Sequence, residues 1–434
     1  MVRLNHFGSI SSEGIVKAAE AFGTPAYLYD ERLLLDKCEK LLAMPNAFGH
    51  TVRYAMKANS SAAILRLIHG AGLRIDASSL NEAQRAHLAG IPYGDITLTT
   101  QEVPMGEGRQ ALNAMMAQGL KYNACSLRQL TLVGDFAAQQ GCAVSLRVHP
   151  GIGAGESATR NTGDHYSCFG IHLTDIPQAI SYAASKNIKI DQVHVHIGSG
   201  GDPATWRDNI DRELCILEQY FSDAHTISFG GGLKEARMPD ETAADIDALG
   251  AYAKERLEAF HRRTGRKLHM EVEPGTYVTA NVGYIVTRVM DKKQTGPEGM
   301  RFLVTDGGME VNIRPLLYGS RHPFYVVSKE GRLLSSEFDA PGTHTYSAAV
   351  VGRCCESGDS QNMDANGLNQ PRAMSEPELD DYLVIGGAGA YSPALSAFNY
   401  NSHVQAPEVL CTVEGELRLI RKRQSLEQVL ENEC

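Results

Sequence analysis

Between residues 52 and 272 the chain repeats one unit: a short β-type run followed by a stretch with helical apolar spacing. The runs are Val52–Met56, Leu73–Ala77, Ile96–Thr99, Leu120–Ala124, Ala143–Val148, Ile190–Ile197, Thr226–Phe229 and Leu268–Val272. The helical stretches are Ala62–Ala71, Ser79–Ala89, Gly108–Gln118, Leu127–Gln140, Ile176–Lys186, Ala204–Tyr220 and Ala244–Arg263. Parallel strands need crossovers, and eight strands alternating with helices close into a (β/α)8 TIM-like barrel. An open doubly wound sheet is the rival, but it would not usually need eight units, and no GxGxxG follows the first strand.

Beyond residue 276 the texture changes. Tyr284–Val289, Arg301–Val304, Phe324–Val327, Thr345–Val351, Tyr382–Ile385 and Val409–Val413 are short β-rich runs broken by Gly, Pro and Asp, the pattern of a β-sandwich or small barrel. Residues 24–29 form a strand entered through Pro25 that cannot be counted among the eight, so it joins this C-terminal β-domain. Asp30 then caps an amphipathic helix, 31–43. The expected division is 31–275 as a barrel and 1–30 with 276–434 as a β-domain, as a 434-residue chain permits. The polar segment 357–379 reads as a loop or insertion.

A net charge of −10 argues against non-specific nucleic-acid binding and against a polybasic membrane patch. The nine cysteines lack metal-ligand spacing, and the adjacent pair Cys354-Cys355 is too close for an ordinary disulfide, as expected in a reducing cytoplasm. No signal peptide opens the chain and no apolar run approaches the ~18 residues of a membrane span. A cytoplasmic enzyme or small-molecule-binding protein is the expectation.

The strand ends carry the chemistry. Lys57 follows strand one, Asp76 ends strand two, His149 ends strand five, His196 ends strand six, Gly230-Gly231-Gly232 follows strand seven and Glu273 ends strand eight. Each has a bland explanation: a snorkelling lysine, a satisfied core histidine, a turn of glycines. Together they converge on the C-terminal face of a barrel, where active sites are built. A lysine leaving an apolar strand is desolvated, which favours the neutral, nucleophilic amine and suits a Schiff base with a carbonyl substrate or pyridoxal phosphate. Glycines 230 to 232 bare their backbone N–H groups to a phosphate, with the Ser199 hydroxyl near it. His196 could lie flat on a pyridine ring, and Glu273, at the forced turn Glu273-Pro-Gly275, would keep its nitrogen protonated.

Tyr54-Ala-Met-Lys-Ala-Asn59, His196-Ile-Gly-Ser-Gly200, Gly230-Gly-Gly232, Glu273-Pro-Gly275, Arg314-Pro-Leu-Leu-Tyr318, Cys355-Glu-Ser-Gly-Asp359 and Gly389-Ala-Tyr391 follow one another in a familiar order. In these motifs, spread over nearly the whole chain, the sequence resembles the fold-type III pyridoxal-phosphate decarboxylases, above all those acting on meso-2,6-diaminopimelate. The resemblance implies that Lys57 bonds the cofactor aldehyde, His196 stacks on its ring and Glu273 pairs with its nitrogen. Asp76 and Gly275 would complete the cofactor site. Ser199 and glycines 230 to 232 would hold the phosphate, with Tyr391 beside it. Arg314 and Tyr318 would bind a substrate carboxylate and Glu356 the distal amine. Members of this family are homodimers with shared sites, so the Cys355-Glu356 segment would enter from the partner subunit, Cys355 returning a proton after carbon dioxide leaves. A thiol, largely protonated at neutral pH, suits that role.

Two positions depart from the family pattern. Thr276 replaces the usual arginine after Glu-Pro-Gly, losing a bidentate anion clamp, so either another cation such as Arg321 fills in or the substrate sits differently, and Gly200 replaces a glutamine. The rivals are a decarboxylase of ornithine, lysine or carboxynorspermidine, for which Arg314 has no evident use; a racemase on the same barrel, against which Glu273 argues; and a silent cofactor-binding relative.

Overall fold

The computed structural model describes residues 6–152, 162–198 and 203–434. Two compact units emerge: Lys37–Glu235 with Ala243–Tyr277, and Met1–Asp36 with Ala236–Thr242 and Val278–Cys434.

The first unit is a closed barrel of eight strands paired in chain order, all parallel. The strands are His50–Ala55, Arg74–Ala77, Ile96–Thr99, Lys121–Ala124, Val144–Arg147, Ile190–His194, Thr226–Ser228 and His269–Val272. The expected barrel is therefore present, with the sixth strand stopping at His194 rather than Ile197. Local chemistry sets the crossover helices. Ser79, Ser126 and Asp245 accept hydrogen bonds from backbone N–H groups three residues on, and Gly141 and Gly265 end their helices in left-handed backbone.

Strand periodicity divides each strand between two environments. Val52, Tyr54, Val193, Ile227, Met270 and Val272 are buried apolar positions. The alternate residues Arg53, Gln192, His194, Ser228, Glu271 and Glu273 are buried too, but polar, and they bond one another across the interior. Arg53 makes a bidentate pair with Glu271, Nε to Oε2 at 2.8 Å and Nη2 to Oε1 at 2.9 Å. Gln192 Nε2 donates to the same carboxylate at 3.0 Å. Burial pushes the Glu271 carboxyl up, but the Arg53 charge and hydrogen bonds more than reverse this, leaving it at about 2.

In the second unit a mixed ten-stranded sheet is organised around one long strand, Gly283–Gln294. Its first half pairs with Ala26–Asp30 and Tyr382–Ile385, and past an irregularity at Val289/Asp291 it pairs with Arg301–Thr305. Ala26–Asp30 also pairs with Glu408–Cys411, so the N-terminal strand joins this sheet, as expected. Phe7, Ile15, Leu28, Tyr284, Val286, Val384 and Val409 share one apolar cluster. Helix Ser12–Phe22, capped by Ser11, precedes the first strand read from the sequence. The segment 357–379, read as a loop or insertion, is mostly loop, but Asp359–Met363 is buried and Arg372–Met374 forms a strand paired with Tyr346–Val351.

Candidate functional site

At the C-terminal ends of the barrel strands the backbone ladder continues past the last strand residues. Val195 N bonds Ser228 O at 3.0 Å, Phe229 N bonds Glu271 O at 3.0 Å, and Glu273 N bonds Gly230 O at 2.8 Å. Side chains at the ends of strands six, seven and eight therefore meet. His194 Nε2 lies 2.8 Å from Glu273 Oε2, and Ser228 Oγ donates to Glu273 Oε1 at 2.9 Å. A carboxylate only accepts, so the His194 hydrogen sits on Nε2. Burial alone would raise the Glu273 carboxyl, but the His194 charge and these two hydrogen bonds hold it below the usual carboxylate range.

Asp76, on the second strand, is buried, and its Oδ1 has no hydrogen-bond partner among the described residues. Burial, and then the Glu273 charge, push it well above the usual range against the opposing charge of Lys57. Burial thus pushes one carboxyl up while the His194 and Ser228 contacts pull the other down, the kind of separation that lets two acids take different roles.

His196 stands beyond the sixth strand, and its Nδ1 accepts a hydrogen bond from Gly231 N at 2.9 Å. Its imidazole is shifted well below the ordinary value by burial and by the Lys57, Arg147 and His194 charges, which agrees with a neutral ring accepting that bond. The glycine turn admits nothing larger. A Cβ on Gly230 would lie 2.2 Å from Val195 O, one on Gly231 2.6 Å from Glu273 O, and one on Gly232 2.8 Å from Gly198 O. Gly275 packs against Ala55 and Ala58 at 3.2–3.4 Å by the same measure. His149, also named at a strand end, is held by its own loop: Nε2 lies 2.9 Å from Asp164 O and Nδ1 accepts from Gly151 N.

Lys57 requires a correction. The short helical turn Met56–Ala58 buries its two neighbours and leaves Lys57 exposed, so the amine is not desolvated by the strand as expected. Ser199 and Gly200 lie outside the described residues. Of the features the sequence missed, Ser228 carried no local signal, since its role depends on strand seven lying beside strand eight.

The remaining expected residues belong to the other unit. Arg314 is buried, its guanidinium 5.7 Å from the Tyr318 ring centroid and 5.6 Å from that of Tyr391, with Nη2 3.2 Å from Ser320 Oγ. Tyr391 itself adopts φ of 63°. Cys355 and Glu356 are exposed. Arg321, named as a substitute for the arginine missing at 276, is exposed and paired with both carboxylate oxygens of Asp240 at 2.9 Å.

A glycine turn with no room for side chains, a neutral imidazole beside it and an ionised buried carboxylate fit the phosphate, ring and protonated nitrogen of pyridoxal phosphate. The family model for the pyridoxal-binding domain of pyridoxal-dependent decarboxylases matches residues 36–280. The diaminopimelate decarboxylase of Escherichia coli strain K12 is 33% identical over 425 residues, 97% of this chain and 96% of that one. A crystal structure of diaminopimelate decarboxylase superposes with a TM-score of 0.86 at 31% identity, covering 97% of this chain and 96% of its own. The Helicobacter pylori enzyme complexed with L-lysine gives 0.80 at 26% identity, covering 96% and 98%. The chain belongs to the pyridoxal-dependent decarboxylases, carboxy-lyases whose cofactor is pyridoxal 5′-phosphate.

Proposed function

We propose that the chain decarboxylates meso-2,6-diaminopimelate to L-lysine and carbon dioxide, the last step of lysine biosynthesis. The observation that carries this reading is Glu273, buried and held ionised by His194 and Ser228 at the mouth of the barrel. Such a carboxylate opposite the pyridine nitrogen keeps that nitrogen protonated, as decarboxylation requires and racemisation does not. When bound, pyridoxal phosphate supplies the sink for the electron pair left as carbon dioxide departs. The names and near-full-length match of the relatives support the substrate.

In this reading residues 31–275 bind the cofactor and 1–30 with 276–434 supply groups for the substrate. Lys57 bonds the cofactor aldehyde, and its exposure leaves it accessible to the incoming amino acid. His196 lies along the ring; glycines 230 to 232, Gly275, Ser199 and Tyr391 receive the phosphate; Asp76 completes the cofactor side. Arg314 and Tyr318 bind the distal carboxylate, Glu356 the distal amine, and Cys355 returns the proton to Cα.

The enzyme works in the cytoplasm as a homodimer. Among the described residues no helix is long and apolar enough to cross a membrane. Leu316, Leu317, Leu395, Phe398 and Tyr400 are all exposed, and their segments are tied to the Cys355 turn. Leu316 meets Gly358, and Tyr400 meets Glu356. Exposed apolar groups gathered around polar functional residues are what a subunit interface covers.

A second reading, a decarboxylase of ornithine, lysine or carboxynorspermidine, draws on Thr276 and on the engagement of Arg321 by Asp240. Carbon dioxide release from meso-diaminopimelate, ornithine, lysine and carboxynorspermidine separates the two. The expected kcat/KM for meso-diaminopimelate exceeds the others by about a hundredfold or more. Preference for a substrate without a second carboxylate overturns the first reading.

A further inference from the structure

Within four positions, Asn399, Asn401 and Ser402 hold non-glycine backbones at φ of 60°, 51° and 57°. Left-handed backbone is unfavourable for L-residues, least so for asparagine, and it persists where the surroundings over-determine it. Asn399 Nδ2 donates to His403 O at 3.0 Å and to Gln424 Oε1 at 2.7 Å, which ties the turn in this shape.

The effect is to lay two consecutive side chains on two consecutive residues of the Cys355-Glu356 segment. Asn401 Oδ1 accepts a hydrogen bond from Cys355 N at 2.8 Å. The Tyr400 hydroxyl lies 3.2 Å from Glu356 Oε2. Asp359 anchors the preceding residues, taking Cys354 N on Oδ2 at 2.7 Å and Met309 N on Oδ1 at 2.6 Å. Cys355 and Glu356 thus sit on an exposed turn with fixed points before and beside it. Bonds from Gly358 N, Ser357 and then the Tyr400 hydroxyl hold the Glu356 carboxyl below the usual carboxylate range.

We infer that Tyr400 and Asn401 are positioning residues for the decarboxylation: Asn401 fixes the Cys355 backbone and so the direction of its thiol, and Tyr400 fixes the Glu356 carboxylate for the far amine of the substrate. The inference rests on the proposed roles of Cys355 and Glu356. In this inference each acts through the neighbour it bonds. Proton return depends on the placement of the donor, and a 1 Å error can lower the rate by about 10²-fold.

The test uses the holoenzyme. Asn401→Gly removes the acceptor while leaving left-handed backbone available, so the variant can fold; Asn401→Asp keeps an acceptor oxygen. Asn401→Gly is expected to lower kcat by about tenfold to a hundredfold with KM within about twofold. The Cys355 amide should exchange with solvent deuterium about tenfold faster. Asn401→Asp should bring both close to wild type. Tyr400→Phe should raise KM for the diamino substrate about fivefold and leave kcat unchanged. Unchanged amide exchange and kcat in Asn401→Gly would overturn the inference, as would equal losses in Asn401→Gly and Asn401→Asp. Cys355→Ala, measured alongside, separates the levels. Wild-type turnover there removes the proton-donor role and the positioning role with it. Lost turnover there, with normal kcat in Asn401→Gly, removes only the latter.

Discussion

In the barrel unit Asp76, His194, Ser228 and Glu273 are buried on or just past parallel strands, whereas in the β-rich unit Cys355 and Glu356 stand exposed on a turn. In the first group strand ladders fix the backbone, and His194 and Ser228 both bond Glu273. The second is held on its turn by local bonds: Asn401 Oδ1 accepts from Cys355 N, and Gly358 N, Ser357 and Tyr400 bond the Glu356 carboxylate. The difference follows from what each group is proposed to do. Setting the charge on a pyridine nitrogen needs a carboxylate whose ionisation is decided in a low-dielectric interior, where small displacements change the energy steeply. Reading a substrate amine or returning a proton needs reach and access, and loops provide both.

If that contrast is sound, barrel substitutions will register as lost stability and β-domain substitutions as altered kinetics. The largest stability effect is expected for Glu271→Gln, which leaves the Arg53 guanidinium buried beside a neutral amide: about 3–5 kcal/mol, read by urea unfolding. The pH dependence has a definite sign. Glu271 sits at about 2 in the fold against about 4.3 in an unfolded chain. Its contribution is therefore fully present above about pH 4.3 and lost as pH falls towards 2. The variant should show a flatter loss of stability across that window.

Gly231→Ala comes next. Its Cβ would fall 2.6 Å from Glu273 O and 3.0 Å from the His196 ring, so about 1–3 kcal/mol of stability should go with the crowding. Cofactor affinity, measured by equilibrium dialysis, should fall with it. Smallest for stability is Glu356→Gln on the exposed turn. Its melting temperature should match wild type while KM for the diamino substrate rises; a clear drop in melting temperature would break the contrast.

The barrel was legible because outward-facing apolar residues such as Val52, Tyr54, Ile227 and Val272 mark each strand whatever fills the inside. The interior was less so. Arg53, Gln192 and Glu271 look like surface residues in a sequence, and only the closed sheet reveals that they satisfy one another. Glu273 was found because Pro274 and Gly275 mark the strand end. Its partners His194 and Ser228 depend on which strands are neighbours, and no local pattern encodes that. Lys57 was found by its place after an apolar run, yet its exposure was misjudged because the turn Met56–Ala58 buries its two neighbours and leaves it exposed. Tyr400 and Asn401 were invisible: left-handed asparagines leave little trace in composition, and their contacts join residues 44 to 46 positions apart.

The most direct measurement is to reduce the purified, cofactor-loaded enzyme with borohydride, digest it and map the pyridoxyl group by mass spectrometry. The expected result is loss of visible absorbance and the label on the peptide containing Lys57, with none bound in Lys57→Ala. A label on any other lysine, or no trapped label at all, would contradict the assignment of Lys57 and the cofactor site built around it.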